Sequence, residues 1–328
     1  MKILAFRFWR MTGAAVLAIA LSPNIAGAQT SVSEYGQICD ASAAVAVDAD
    51  HFVVADDERN TLQTYRRGDR APVASLDLSA FLGTEPDKES DLEGAAAIEG
   101  RIYWISSHGR NSSGELQKRR RRFFATVVTS AAEGPVLKPI GTAYTELLSD
   151  LLAAPQLAPY ALKDAASRPP EAKDGLNIEG LAATPDGRLL VGFRNPIPGR
   201  KALLVPIENP DDLIHEKKAR LGAPIELDLG NRGIRSIELV GSSYLIVAGP
   251  PADDGTFRLF RWSGAAVDKP VEIHGVDFDG LSPEALFAVP QTDTVQILSD
   301  DGGKDVDGVA CKKQKKSQRS FRSIIVTP

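Results

Sequence analysis

The chain has 328 residues, 38 Lys+Arg against 43 Asp+Glu, 43% hydrophobic residues and two cysteines. That length buries a large core, the two cysteines exclude a disulfide-dense miniprotein, and a charged fraction of 25% excludes wholesale disorder. With 28 Gly, 21 Pro and few long periodic segments, many turns and many short strands are expected.

Residues 1–28 read as a secretory signal peptide, with Lys2, Arg7 and Arg10 ahead of the apolar run Gly13 to Leu21 and a small-residue cleavage site at Ala26-Gly27-Ala28. A membrane anchor is the alternative, but the run is shorter than the roughly 20 residues a spanning helix needs. No later segment is apolar enough to span. The expectation is a soluble, periplasmic or secreted protein, monomeric, with one domain over residues 29–328. Removing three basic residues and no acidic one takes the formal charge from −5 to −8, which argues against a nucleic-acid partner. Two basic clusters, Lys118 to Arg122 and Lys312-Lys313 with Lys315-Lys316, oppose that trend and read as solvated loop ends rather than as polyanion sites.

Five segments then repeat one pattern, an apolar small-residue strand, a turn and a second strand: 40–47 with 51–57, 91–98 with 101–107, 177–183 with 188–193, 234–239 with 244–248, and 282–289 with 294–298. Aligning Ser42, Glu93, Glu179, Ser236 and Glu284 gives intervals of 51, 86, 57 and 48 residues. A period near 50 is that of four-stranded β-propeller blades. The long interval holds the one helical stretch, around Glu146 to Leu152, and the Pro-rich Arg168-Pro169-Pro170. The fold class is therefore all-β, a five-bladed propeller, six blades being the alternative, with an insertion over about residues 143–173 between the second and third blades. Because the insertion joins two blades it is expected over the channel mouth, as a lid. Outer strands are visible at 61–65, 72–78, 201–207 and 224–229. The fifth repeat has a third strand at 321–326 and lacks its fourth, which residues 31–38 would supply, pairing the two ends of the ring. Cys39 and Cys311 would then be neighbours, and a disulfide between them is favoured over two free thiols in an oxidising compartment.

The phrases Cys39-Asp40-Ala41-Ser42-Ala43, His51 to Glu58, Asp91-Leu92-Glu93-Gly94, Ser106 to Asn111, Gly175 to Leu181, Phe193 to Pro196 and Arg232 to Ser236 resemble a family of exported bacterial β-propellers catalogued as a domain of unknown function. The acid-Gly-apolar strand starts are also loosely similar to the esterase-like phytase propellers. The first resemblance implies fold and compartment, and neither supplies a catalytic residue.

In a propeller, innermost-strand starts and second-strand ends meet at one mouth of the central channel. The candidate ligand-binding residues are accordingly Asp56, Asp57, Glu93, His108, Arg110, Asn111, Glu179, Arg194, Asn195 and Glu284. Ser42, Ser236, Asp300 and Asp301 stand at matching places. The carboxylates would hold a cation or act as acid and base, with Glu93, Glu179 and Glu284 as candidate ligands for calcium or magnesium, while Arg110, Arg194 and His108 would hold an anionic group. The bland alternative is that the glutamates cap strands around the ring. The expected role is binding of a small anionic ligand or a partner protein at this mouth. The alternative is a metal-assisted hydrolase of phosphate esters or other esters. Asp300 to Gly308 has a calcium-loop flavour without the spacing of an EF-hand, and reads as an acidic turn. His215-Glu216 has no second His at zinc-protease spacing, and there is no Gly-x-Ser-x-Gly elbow, phosphate loop or Cys-x-x-Cys pair. With four histidines in all and aromatics at 6%, a multi-histidine metal centre and a sugar-stacking site rank low.

Overall fold

Runs of Ala, Val, Ile and Leu broken every few residues by Gly, Asp and Asn give short antiparallel strands joined by tight turns. The computed structural model describes residues 28–29, 32–131, 134–252 and 255–328. The signal-peptide segment, apart from Ala28, lies outside them. Among the described residues the strands form five radial sheets and one two-stranded hairpin, Asp305–Val306 with Val309–Ala310. Blade 1 comprises Ala41–Ala46, His51–Asp56, Thr61–Arg66 and Pro72–Asp77, and blade 2 comprises Leu92–Ile98, Arg101–Ser106, Phe123–Ala131 and Gly134–Tyr144. Blade 3 is built from Asn177–Ala183, Leu189–Asn195, Ala202–Ile207 and Ile225–Leu227, and blade 4 from Gly233–Val240, Ser243–Gly249, Arg258–Trp262 and Val271–Ile273. Blade 5 contains Pro283–Ala288, Val295–Ser299 and Ser320–Thr327.

Each innermost strand packs against the innermost strands of both neighbouring blades, and Pro283–Ala288 meets Ala41–Ala46. The ring thus closes with five blades, not six. Apolar side chains alternate to both faces of every sheet, so the core is divided into layers between blades. Trp104, Phe124, Val53 and Leu62 fill the joint of blades 1 and 2, and Ile234, Ile246, Trp262 and Leu204 fill that of blades 3 and 4. Each such buried side chain contributes about 1.5–3 kcal/mol relative to exposure.

The insertion carries helices Leu147–Ala153 and Leu162–Ala165 around the 3-10 turn Pro155–Tyr160. Leu147 and Leu151, one turn apart, are buried with Leu148, Leu157 and Leu162 against Tyr103 and Phe123 of blade 2 and Leu203 and Val205 of blade 3. A stripe of leucines this apolar is driven between the blades rather than across a polar opening. The insertion is therefore a wedge, which corrects the expected lid; only Pro170 and Glu171 from it reach the channel mouth.

The seam between blades 5 and 1 joins residues far apart in sequence. Ser33–Gly36 pairs antiparallel with residues 320–323 as the fourth strand of blade 5, and Ala28–Gln29 pairs with Val326 and Thr327. Behind this ladder Tyr35 stacks on Phe321 with centroids 5.4 Å apart and meets Phe52 edge-on at 5.0 Å. The Tyr65 hydroxyl donates to the Gly36 carbonyl at 2.7 Å. Cys39 and Cys311 form a disulfide, with Cα atoms 6.0 Å apart and a sequence separation of 272. Because this bond closes a loop spanning nearly the whole domain, replacing both cysteines with serine is expected to cost about 2–4 kcal/mol of stability, measured by denaturant unfolding. An unchanged midpoint would show that strand pairing and the aromatic cluster alone hold the seam.

Candidate functional site

At the head of every innermost strand the register slips by one residue. In blade 1 Ala41 and Ala43 face Asp56 and Ala55, leaving Ser42 as the extra residue. The same count leaves Glu93 in blade 2, Glu179 in blade 3, Arg235 in blade 4 and Glu284 in blade 5. A β-bulge re-aims the side chain it carries, so each blade turns one residue toward the channel. In blade 3 the second strand is bulged too, at Arg194, between Asn195 and Phe193. The glycines after two of these residues are demanded by ring closure. A Cβ on Gly180 would stand 2.7 Å from Ile234 Cγ2 of blade 4, and one on Gly94 would stand 3.0 Å from Leu181 Cβ of blade 3, besides 2.8 Å from Ile105 Cγ2 of its own blade.

Four of the channel-facing residues are tied around the ring. Arg194 Nη1 donates to Glu179 Oε1 at 3.0 Å, and Asn177 Nδ2 donates to the same oxygen at 2.9 Å. Arg235 reaches in both directions, its Nε 3.1 Å from Glu179 Oε2 and its Nη2 in direct contact with Glu284 Oε1. Ser42 closes a different joint, its hydroxyl donating to the Leu92 carbonyl. Glu93 alone among the five inner-strand bulge residues makes no side-chain hydrogen bond or ion pair among the described residues, although it is only 8% exposed.

All of these residues except Ser42 line a central cavity of about 740 Å³. Blades 3 and 4 supply Arg194 and Arg235, while blades 5, 1 and 2 supply Glu284, Asp300, Asp57, Asp91 and Glu93. Burial, with Asp40, Asp300, Glu93 and Asp91 close by, holds the Asp57 carboxyl well above the usual carboxylate range. Burial likewise raises Glu93, with Asp91, Glu179 and Glu284 adding repulsion. Desolvation and then Asp40 push Asp300 up to about 7, and desolvation opposed by Arg235 pushes Glu284 up to about 8. Asp40, just behind this wall, is raised by burial and Asp56 to about 7.

Of the predicted site residues, the cavity brings together Asp57, Glu93, Asn111, Glu179, Arg194 and Glu284, with Asp300 and Asp301. The other four lie elsewhere. Asp56 is buried on the far side of its strand and lines a separate cavity of about 400 Å³ with Arg59 and Arg319. His108 is buried, its Nδ1 2.8 Å from the Ser106 carbonyl, and desolvation lowers its pKa to about 4, so it is neutral and packs. Arg110 donates from Nε to the Ala166 carbonyl at 2.9 Å, and Asn195 donates to the Pro170 and Ala172 carbonyls at 2.8 Å. Both fasten the insertion instead of holding an anion. The metal set Glu93, Glu179 and Glu284 does not come together as one group either, because arginines occupy the last two. The carboxylates whose oxygens lie within 4.8 Å of one another are Asp57, Asp91 and Glu93, and Asp40, Asp56 and Asp57.

Sequence reasoning missed Arg235, Asp91, Glu89 and Arg120. Arg235 was hidden by one position, since the period near 50 fits Ser236 equally well and only the bulge selects its neighbour. Arg120 sits in the run taken for a solvated loop end, yet it contacts Glu89 and holds Asp91 Oδ2 at 3.1 Å on the cavity wall. Lys312, from the second basic cluster, also lines the cavity and donates to Glu58 at 2.6 Å. Asp300 to Gly308 runs through a turn into the two-stranded hairpin Asp305–Val306 and Val309–Ala310, with Asp300 accepting from Gly302 N at 2.8 Å and Asp305 from Gly308 N at 2.8 Å.

Residues 137–294 match the family described as "Protein of unknown function (DUF3616)". No curated protein matches the chain. Among solved structures the chain is similar to Myxococcus xanthus glutaminyl cyclase, at 12% identity and a TM-score of 0.46 over 92% of this chain and 97% of that one. It is also similar to a putative oxidoreductase (glucose dehydrogenase) from Thermus thermophilus, at 12% identity and a TM-score of 0.45 over 91% and 100%. Virginiamycin B lyase from Staphylococcus aureus matches at 9% identity and a TM-score of 0.39 over 90% and 98%.

The geometry of this mouth sets two expected outcomes. Glu179→Gln leaves two buried guanidinium groups without their shared counter-charge and is expected to cost about 3–5 kcal/mol, read from the unfolding midpoint. Asp40, Asp300 and Glu284 hold protons in the folded state that the unfolded chain releases near pH 4 to 4.5. The stability these three groups contribute is therefore fully present below that range and is lost as pH rises through about 7 to 8. Melting temperature in a chelating buffer should fall between about pH 5 and pH 8, and a flat or rising profile would contradict the assigned shifts.

Proposed function

We propose that the protein binds a small anionic molecule at the polar mouth of its central channel. Arg235 carries this reading. Its side chain is buried at 4% residue exposure, it lines the cavity beside Arg194, and its Nη1 has no hydrogen-bond partner among the described residues. A guanidinium cannot shed its proton, and a buried donor left unpaired is costly, so an oxyanion is the partner that satisfies both charge and geometry. A small molecule is favoured over a partner protein because these donors lie inside a cavity, beyond the reach of a folded surface. The compartment we propose is the periplasm or the medium. It is supported by the Cys39–Cys311 disulfide and by the leader pattern of the sequence; no helix among the described residues is long and apolar enough to cross a membrane.

A second reading, metal-assisted hydrolysis of a phosphate ester or another ester, is favoured by one observation. Guanidinium groups and carboxylates line the same cavity, so an ester held by its anionic end would lie against candidate bases.

The test is calorimetric and thermal-shift titration with inorganic phosphate, glycerol phosphate and citrate. At a hundredfold excess over Kd the bound anion should stabilise the wild type by about 2.7 kcal/mol. Arg235→Lys, with its fold checked by circular dichroism, should lose roughly tenfold to a hundredfold in affinity, as for a charged hydrogen bond. No binding of any of the three anions, or full binding by Arg235→Lys, would overturn the reading. Turnover of a generic phosphoester would favour hydrolysis over binding alone.

A further inference from the structure

We propose that Asp57, Asp91 and Glu93 form a site for a hard divalent cation on the acidic wall of the central cavity. The three carboxylates each offer an oxygen within 4.8 Å of the others, and all three residues line the cavity, which leaves room for water to complete a coordination shell. An all-carboxylate set selects calcium, magnesium or manganese over softer metals.

Proximity of acids alone would not make a site; the second observation is that charge here is buried and unanswered. Glu93 is more than nine-tenths buried and its carboxylate has no hydrogen bond or ion pair among the described residues. It is the one bulged acid of the ring that no arginine meets. Asp57 Oδ1 is shielded from solvent and has no partner. Asp57 also belongs to a second close group with Asp40 and Asp56, and Asp56, at 2% exposure, has an unpartnered Oδ1 as well. Negative charge therefore accumulates around Asp57 from both sides.

The nearest basic groups are spent elsewhere. Lys312 is committed to Glu58, and Arg120 to Glu89 and one oxygen of Asp91. Ser107 donates to that same Asp91 oxygen, so the other oxygen of Asp91 is the one available. Three like charges thus stand within 4.8 Å of one another, and the one guanidinium among them meets a single oxygen of Asp91. A divalent cation relieves that repulsion at once, whereas protons relieve it only by neutralising the ligands.

The inference rests on the acid wall and not on the anion reading, and the experiment keeps the two apart. Full-length mature protein, stripped with chelator and dialysed, is titrated at mildly alkaline pH with calcium, magnesium or manganese chloride against sodium chloride of matched ionic strength. At least one divalent ion should bind with measurable heat and raise the melting temperature above the sodium control. Glu93→Gln should melt at or above the wild-type temperature without metal, because it removes an unpaired buried charge, and should bind the ion about tenfold more weakly or worse, as expected when ligand charge is lost. Asp57→Asn gives the same readout from a second ligand. Phosphate titration of Glu93→Gln reports on the arginine wall independently. No divalent effect on the wild type, or undiminished binding in both variants, would overturn the assignment.

Discussion

Closing five sheets into one ring forces the innermost strands together at a narrow mouth, and the single-residue bulge at the head of each strand is how the chain meets that constraint. Without the bulge, strict alternation would send the residues at Glu93, Glu179, Arg235 and Glu284 into the joints between blades, where apolar layers stand. With it, one side chain per blade is freed toward the channel, and the next residue must be small wherever the neighbouring blade approaches, as at Gly94 and Gly180. The chemistry of the mouth is thus fixed by the geometry of closure. Glu179, Arg235 and Glu284, brought by three different sheets, become a continuous chain of polar contacts across two inter-blade joints.

Such a chain is a poor way to gain stability, since buried ion pairs recover little more than their desolvation cost. Its value is in orientation. Arg235 is held from both sides, so its unpartnered Nη1 is fixed in direction before any ligand arrives, and little side-chain entropy is left to lose on binding. The opposite wall is arranged the other way, with carboxylates close together and underpaired. The two walls differ because blades 3 and 4 place arginines where blades 1, 2 and 5 place Ser42, acids or both.

The fold was legible in the sequence because a repeat near 50 residues, an interrupted fifth blade and two cysteines at the chain's extremes leave little freedom in how a ring can close. The blade number, the wedge position in sequence and the pairing of residues 33–36 with 320–323 all follow from that pattern. Much of the site was legible for the same reason, since Glu93, Glu179 and Glu284 recur at one repeat position. What alternation does not encode is the bulge. It shifts the reading by one residue and so concealed Arg235 behind Ser236, whose hydroxyl instead accepts from Leu286 N. Second-strand ends were harder still. Arg194 and Asn195 are adjacent, yet one faces the channel and the other holds the insertion's carbonyls. Arg110 is drawn off in the same way, by a backbone acceptor that exists only once the insertion has folded, and His108 by the Ser106 carbonyl two residues back in its own loop. Arg120 shows the converse error: a run of like charges need not face water uniformly, because one member can be captured by acids from the preceding loop.

The ladder between Ser33–Gly36 and the last strand of blade 5 also fixes the order in which the molecule can be completed. Blades 1 to 4 each contain all their strands within a contiguous stretch of chain and can form as the chain emerges. Blade 5 cannot, because its fourth strand, Ser33–Gly36, precedes blade 1 in the chain and its third, Ser320–Thr327, follows all the other blade strands. Until residue 320 is available, the fifth sheet keeps an open edge. Such long-range pairing is slow and leaves strand edges exposed. Closing the ring therefore waits on a ladder between residues 33–36 and 320–323, whose partners are separated by nearly the whole domain.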